Sequence, residues 1–127
     1  MRTALALTFV LAMTPAAHAC KCGAARTEAA LDRAADAIFR GRVTAIDQGM
    51  GPDPLWDKQE FRRVDLIRVT VTKRIKGEVP ELATVVSRGS IRSCGMGGQG
   101  MIGRELHFRV RVKAAMLTTH ACMYHSR

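Results

Sequence analysis

The residues with the most chemistry in them are four cysteines and two of the histidines. Cys20 and Cys22 flank Lys21 near the start, Cys94 lies far downstream, and His120, Cys122 and His125 lie close to the end. Thiols so spaced have two uses. Paired, they staple a small fold; reduced, with the histidines beside them, Cys20, Cys22, His120, Cys122 and His125 are a soft donor set for zinc or copper. The first twenty residues choose between these uses. Arg2, the apolar run from Ala4 to Met13, the helix-breaking Pro15 and the small residues Ala17 and Ala19 read as a signal peptide over residues 1–19, too short to remain as a membrane anchor. Cutting after Ala19 makes Cys20 the first residue of a secreted or periplasmic chain. All four cysteines lie in residues 20–127, and an even count in a small exported chain reads as two disulfides with no intrinsic metal or cofactor. A lipoprotein signal also ends before a cysteine, but it asks for a large aliphatic residue where Ala17 stands. Membrane attachment therefore follows only if Cys20 is lipidated.

Cys20 and Cys22 are poor partners for each other, because a bridge across one residue is badly strained. Two pairings remain open, each tying the N-terminus to both distant segments. Loops of that size contribute about 4 to 5 kcal/mol apiece in the chain-entropy picture, enough to decide whether one small domain folds.

The elements that position these residues follow from periodicity. Thr27 caps a short helix running to about Ala35, rich in Ala29, Ala30, Leu31 and Ala34. From Ala37 to Ile46, Phe39, Gly41, Val43 and Ala45 alternate with Arg40, Arg42 and Thr44, which predicts a strand with a bend at Gly41. Residues 47–60, with Gly49, Gly51, Pro52 and Pro54, read as a loop that Trp56 folds back onto the core. A second strand is expected from Phe61 to Ile75, a turn over residues 76–80, and a short strand from Ala83 to Ser87. Gly95, Gly97, Gly98 and Gly100 then predict a loop too flexible to pack. Phe108, Val110 and Val112 alternate with Arg109, Arg111 and Lys113, a strand with a basic outer face, and a last strand covers Leu117 to Cys122. Five amphipathic strands and one helix bury themselves best as a small, mainly β, closed barrel.

Composition excludes several functions. The formal net charge is +9, and the leader removes only Arg2 from it, so anionic partners are favoured. One Trp and one Tyr leave little platform for stacking bases, so nucleic acid is not expected. The glycine-rich run lacks the lysine and hydroxyl of a phosphate-binding loop. No serine, histidine and acid arrangement suggests an enzyme, and His107, His120 and His125 read as strand or tail residues.

Taken in order, several short motifs resemble the netrin-like module of the tissue inhibitors of metalloproteinases. They are the Cys20-Lys21-Cys22 start after a leader, Asp36 before the strand Ala37-Ile38-Phe39-Arg40-Gly41-Arg42-Val43, the turn Arg74-Ile75-Lys76-Gly77, Ser93-Cys94-Gly95 before a glycine-rich hairpin, and Cys122 near the last strand. The resemblance covers nearly all of residues 20–127. It implies a five-stranded OB-fold barrel with a short N-terminal helix, stapled by disulfides Cys20–Cys94 and Cys22–Cys122. Family members carry a further disulfide, for which there are no cysteines here, and continue past the last matching cysteine into a C-terminal helix, whereas this sequence stops at Arg127.

The family's chemistry implies that the partner is a zinc metalloproteinase. A catalytic zinc keeps one position for the water that attacks the substrate. The α-amino nitrogen and carbonyl oxygen of Cys20 would form a five-membered chelate displacing that water. Since an α-amine titrates at about 7.7 to 8.0 and must be unprotonated to coordinate, such binding weakens as pH falls. Lys21 would enter the protease's specificity pocket, where an acid or water must meet its amine. Cys22, Arg92, Ser93 and Cys94 would line the same ridge. The alternative is a non-inhibitory binding module whose basic face, Arg40 and Arg42 with Arg109, Arg111 and Lys113, takes an anionic glycan or acidic protein.

Overall fold

The computed structural model describes residues 22, 26–55, 59–89 and 94–124. Thr27 caps α1, Glu28–Ala34, by accepting a hydrogen bond from the Ala30 amide at 3.1 Å, so the local chemistry that predicts the helix also starts it. Five strands follow: β1 (Ala37–Pro52), β2 (Phe61–Lys76), β3 (Leu82–Ser87), β4 (Glu105–Lys113) and β5 (Met116–Thr118). They close into a barrel in the order β1-β2-β3-β5-β4. Every neighbouring pair is antiparallel except β3 with β5, which runs parallel through Val85–Leu117 and Val86–Thr118.

Inside the barrel Phe39, Val43, Ile67, Val69, Val85, Phe108 and Val110 form one buried cluster. Phe39 lies directly opposite Phe108 across β1 and β4, and their rings stack with centroids 5.1 Å apart. Gly41 faces the same interior. A β-carbon there would meet Val69 Cγ1 at 2.3 Å and the Thr70 carbonyl oxygen at 2.9 Å, so the bend expected at this residue is a close approach of β2 that admits no side chain.

Three expectations from the sequence are corrected. Residues 47–52 are strand, because Asp47 through Pro52 pair with Leu66 through Phe61 in an extended hairpin. Gly49 and Gly51 sit there for close packing against Leu66, Val64 and Val86, which a loop reading of glycines misses. The glycine-rich stretch does pack: it closes through a 3₁₀ turn, Gln99–Met101, that buries Met101 in the core. The last strand ends at Thr118, and Ala121–Met123 form a second 3₁₀ turn. There Thr119 donates its hydroxyl to the Arg109 carbonyl at 2.7 Å and contacts the Tyr124 hydroxyl at 3.0 Å, replacing ladder bonds with side-chain ones.

The β4–β5 hairpin carries a local fault. Ala114 and Ala115, between the paired Lys113 and Met116, hold φ of 47° and 58°, the signature of a type I′ turn that favours Asn-Gly. An L-residue costs roughly 1 to 2 kcal/mol in that region. Replacing Ala114-Ala115 with Asn-Gly is therefore expected to stabilise the protein by about 1 to 2 kcal/mol, seen as a higher urea midpoint at unchanged slope. An unmoved or lowered midpoint contradicts the turn assignment.

Candidate functional site

On the outer side of β1 and β4 a second, smaller core forms from Ala35, Ile38, Met123 and Tyr124. It joins the helix to the C-terminal turn. Lys76 adds a polar tie, its ammonium donating to the carbonyls of Asp32 at 2.9 Å and Ala35 at 2.6 Å and so satisfying the helix C-terminus.

The cysteines converge on the same region. Cys22 is bonded to Cys122, which sits in the Ala121–Met123 turn, and Cys94 is also disulfide-bonded. The Ala121 amide donates to the Cys94 carbonyl at 2.8 Å, and the Thr119 amide to the Val86 carbonyl at 2.9 Å. The start of the described chain, the Cys94 loop and the C-terminal turn thus make one ridge on the barrel. Cys20, Lys21, Arg92 and Ser93, assigned to this ridge from the sequence, lie outside the described residues, as do Trp56 and His125. Joined to each other, Cys22 and Cys122 have no thiolates to offer a metal. Among the described residues no group of three or more histidine, cysteine or carboxylate side chains is arranged to hold one.

Of the residues expected on a basic outer face of β1 and β4, Arg109 is placed differently. Arg109 is 5% exposed, because α1 covers the side of β4 that alternation alone assigns to solvent. Its guanidinium donates to Asp32 at 2.7 Å, to Glu28 and to the Met123 carbonyl at 3.0 Å. Burial alone would weaken the Arg109 cation, but the hydrogen bonds it donates to Asp32 and Glu28 outweigh that and raise its pKa. Lys113 is turned onto the Asp53 and Leu55 carbonyls, capping the segment after β1. Arg111 is half-buried. Arg40 and Arg42 are exposed, but Arg40 pairs with Glu105 at 3.3 Å and Arg42 donates to the Gly103 carbonyl at 2.7 Å.

Sequence reasoning missed three charged positions. Asp53 is buried between β1 and β2 and takes both Arg88 donors, at 2.7 and 3.1 Å, with Arg62 at 3.5 Å. Burial works against its carboxylate, yet Arg88 and the Leu55 amide hold its pKa below the usual range. Asp65, on β2 opposite Ser87, is 7% exposed and its pKa is raised by burial. Arg109 was placed on the wrong side; the signal was Glu28 and Asp32, two carboxylates four residues apart on one helix face, a spacing that asks for a shared cation. His120, beside the disulfide turn, is buried, and desolvation with the nearby Lys113, Arg111, Arg26 and Arg88 charges holds its pKa down at about 4.

No protein-family model matches the chain, and no curated protein sequence matches it.

Proposed function

We propose that this is an exported, OB-type barrel protein that acts as an inhibitor of zinc metalloendopeptidases, with the α-amine and carbonyl of Cys20 as the chelating pair and Lys21 as the specificity residue. The observation that carries the reading is the ridge. Cys22, two residues from the proposed ligand, is covalently fixed to Cys122 in a turn that is itself hydrogen-bonded to Cys94. A terminus held this way loses little freedom on meeting a protease, and that saving is what a chelating inhibitor needs. The barrel order β1-β2-β3-β5-β4, with its parallel β3–β5 pair, agrees with the OB topology that the resemblance implies. Lys21 asks for a target pocket with an acid or ordered water at its base, since a bare ammonium in an apolar pocket is strongly disfavoured.

The intact mass of the exported protein, unreduced and then reduced and alkylated, tests whether the site exists. The expected species is residues 20–127 with an unmodified amine, taking up alkyl groups only after reduction. A lipid, a retained leader residue, or thiols that react without reduction would remove the chelating terminus and the proposal with it.

A further inference from the structure

The four cysteines pose a selection problem that loop length does not solve. With Cys20–Cys22 disfavoured by strain, the pairing that includes Cys22–Cys122 competes with the one that includes Cys20–Cys122. The two pairings close loops that differ by only two residues, so their loop-closure entropies are nearly equal. The Ala121–Cys94 backbone bond brings Cys94 to the same turn as Cys122, so proximity of these two segments does not discriminate either. Yet Cys22 is the residue bonded to Cys122.

We propose that Arg109 specifies this pairing: its buried guanidinium joins the two chain segments that the Cys22–Cys122 bond later links, and it does so before the bond forms. One arm of the guanidinium, Nη1, donates to the carbonyl of Met123, the residue after Cys122. The others, Nε and Nη2, donate to Asp32 and Glu28 on α1, the helix that follows Cys22. The Arg109 backbone serves the same purpose, its amide donating to Tyr124 Oη at 3.1 Å and its carbonyl accepting from Thr119. With α1 fixed against β4, the Thr27 cap is set relative to Met123, and this favours Cys22 as the partner of Cys122. None of these contacts needs a disulfide. They are charge-assisted bonds to a side chain that β4 and α1 already bury, so they form in the reduced barrel.

Oxidation then follows by ordinary exchange with a small disulfide such as oxidised glutathione. The thiolate of one cysteine attacks a glutathione sulfur, forming a mixed disulfide and releasing glutathione thiolate. The thiolate of its neighbour displaces the second glutathione, giving Cys22–Cys122 and, in sum, two glutathione thiols per protein disulfide. Arg109 takes no part in the exchange. Its role is positioning, and the proposal stands whether or not the protein inhibits a protease.

The test is oxidative refolding of reduced residues 20–127 in a glutathione buffer, followed by trypsin and non-reducing peptide mapping. Cleavage after Lys21 separates Cys20 from Cys22, so the two pairings yield different peptides. The unsubstituted chain is expected to give mostly Cys22–Cys122. Arg109→Gln, and separately the double variant Glu28→Gln with Asp32→Asn, should drop that share to about one half, the value for two loops of equal closure entropy. Val85→Ala, which weakens the barrel interior without touching the clamp, should keep the unsubstituted share. The proposal is overturned if both clamp variants pair as the unsubstituted chain does, or if Val85→Ala scrambles the cysteines as much as they do, since loss of stability alone would then account for the result.

Discussion

Phe39→Ala is expected to destabilise the protein by about 3 to 5 kcal/mol, a large fraction of what a domain of this size has to lose. Phe39 is wholly buried, and its ring stacks on Phe108 from the neighbouring strand, so truncation leaves a cavity in the barrel core and removes the ring stacked on Phe108. The barrel cannot close over the gap, because β1 is held on both sides, by β2 and by β4. Urea unfolding followed by far-UV circular dichroism reads the loss directly. The double variant with Phe108→Ala should cost less than the two singles together by about 1 kcal/mol, the stacking contribution that each single already removes. A loss under about 1 kcal/mol for Phe39→Ala would mean that the two rings do not share one core.

Acid should destabilise the protein mainly through His120. Its pKa is about 4 in the folded state, against 6.5 for an ordinary histidine, so the unfolded chain binds the proton first as pH falls. The stabilisation is complete above about pH 6.5, is lost between there and about pH 4, and changes little below. A shift of this size corresponds to about 3 kcal/mol over that window. Asp53, with its lowered pKa, adds a further loss at still lower pH, and Asp65, raised by burial, works in the opposite direction. Stability measured by urea at pH 7 and pH 4.5 should fall in the native protein and fall distinctly less in His120→Gln, where His107, its pKa also lowered by burial, still contributes. An equal fall in both would assign the acid sensitivity elsewhere.

Much of the barrel was legible because its strands obey simple alternation. Phe39, Val43, Phe108 and Val110 read as one face of their strands and lie in the barrel core. Thr27 read as a helix cap and is one. Where the reading failed, a second layer was the reason. Arg109 alternates outward from β4 as a solvent-facing cation would, but periodicity does not distinguish solvent from a covering helix, and α1 lies there. Gly49 and Gly51 looked like loop residues because glycine serves both turns and close strand approach, and only the pairing with β2 separates the two uses. The C-terminal turn escaped notice for a related reason. Leu117 to Cys122 is rich in strand-forming residues, but Thr119 finds better partners in Arg109 and Tyr124 than a continued ladder would supply. The ridge itself was half visible: the cysteines marked which segments meet, while the Arg109 clamp that holds them together carried no cysteine-like signature.

The measurement that tests the account most directly is inhibition of a panel of zinc endopeptidases by residues 20–127 with a free Cys20 amine, and again after that amine is acetylated. The account predicts that the free-amine protein inhibits at least one of them. Acetylation, which leaves fold and disulfides intact, should weaken inhibition about 100-fold or more, equivalent to roughly 3 kcal/mol of lost coordination. Equal inhibition by both forms, or none by the free-amine protein against any of the proteases, would contradict it.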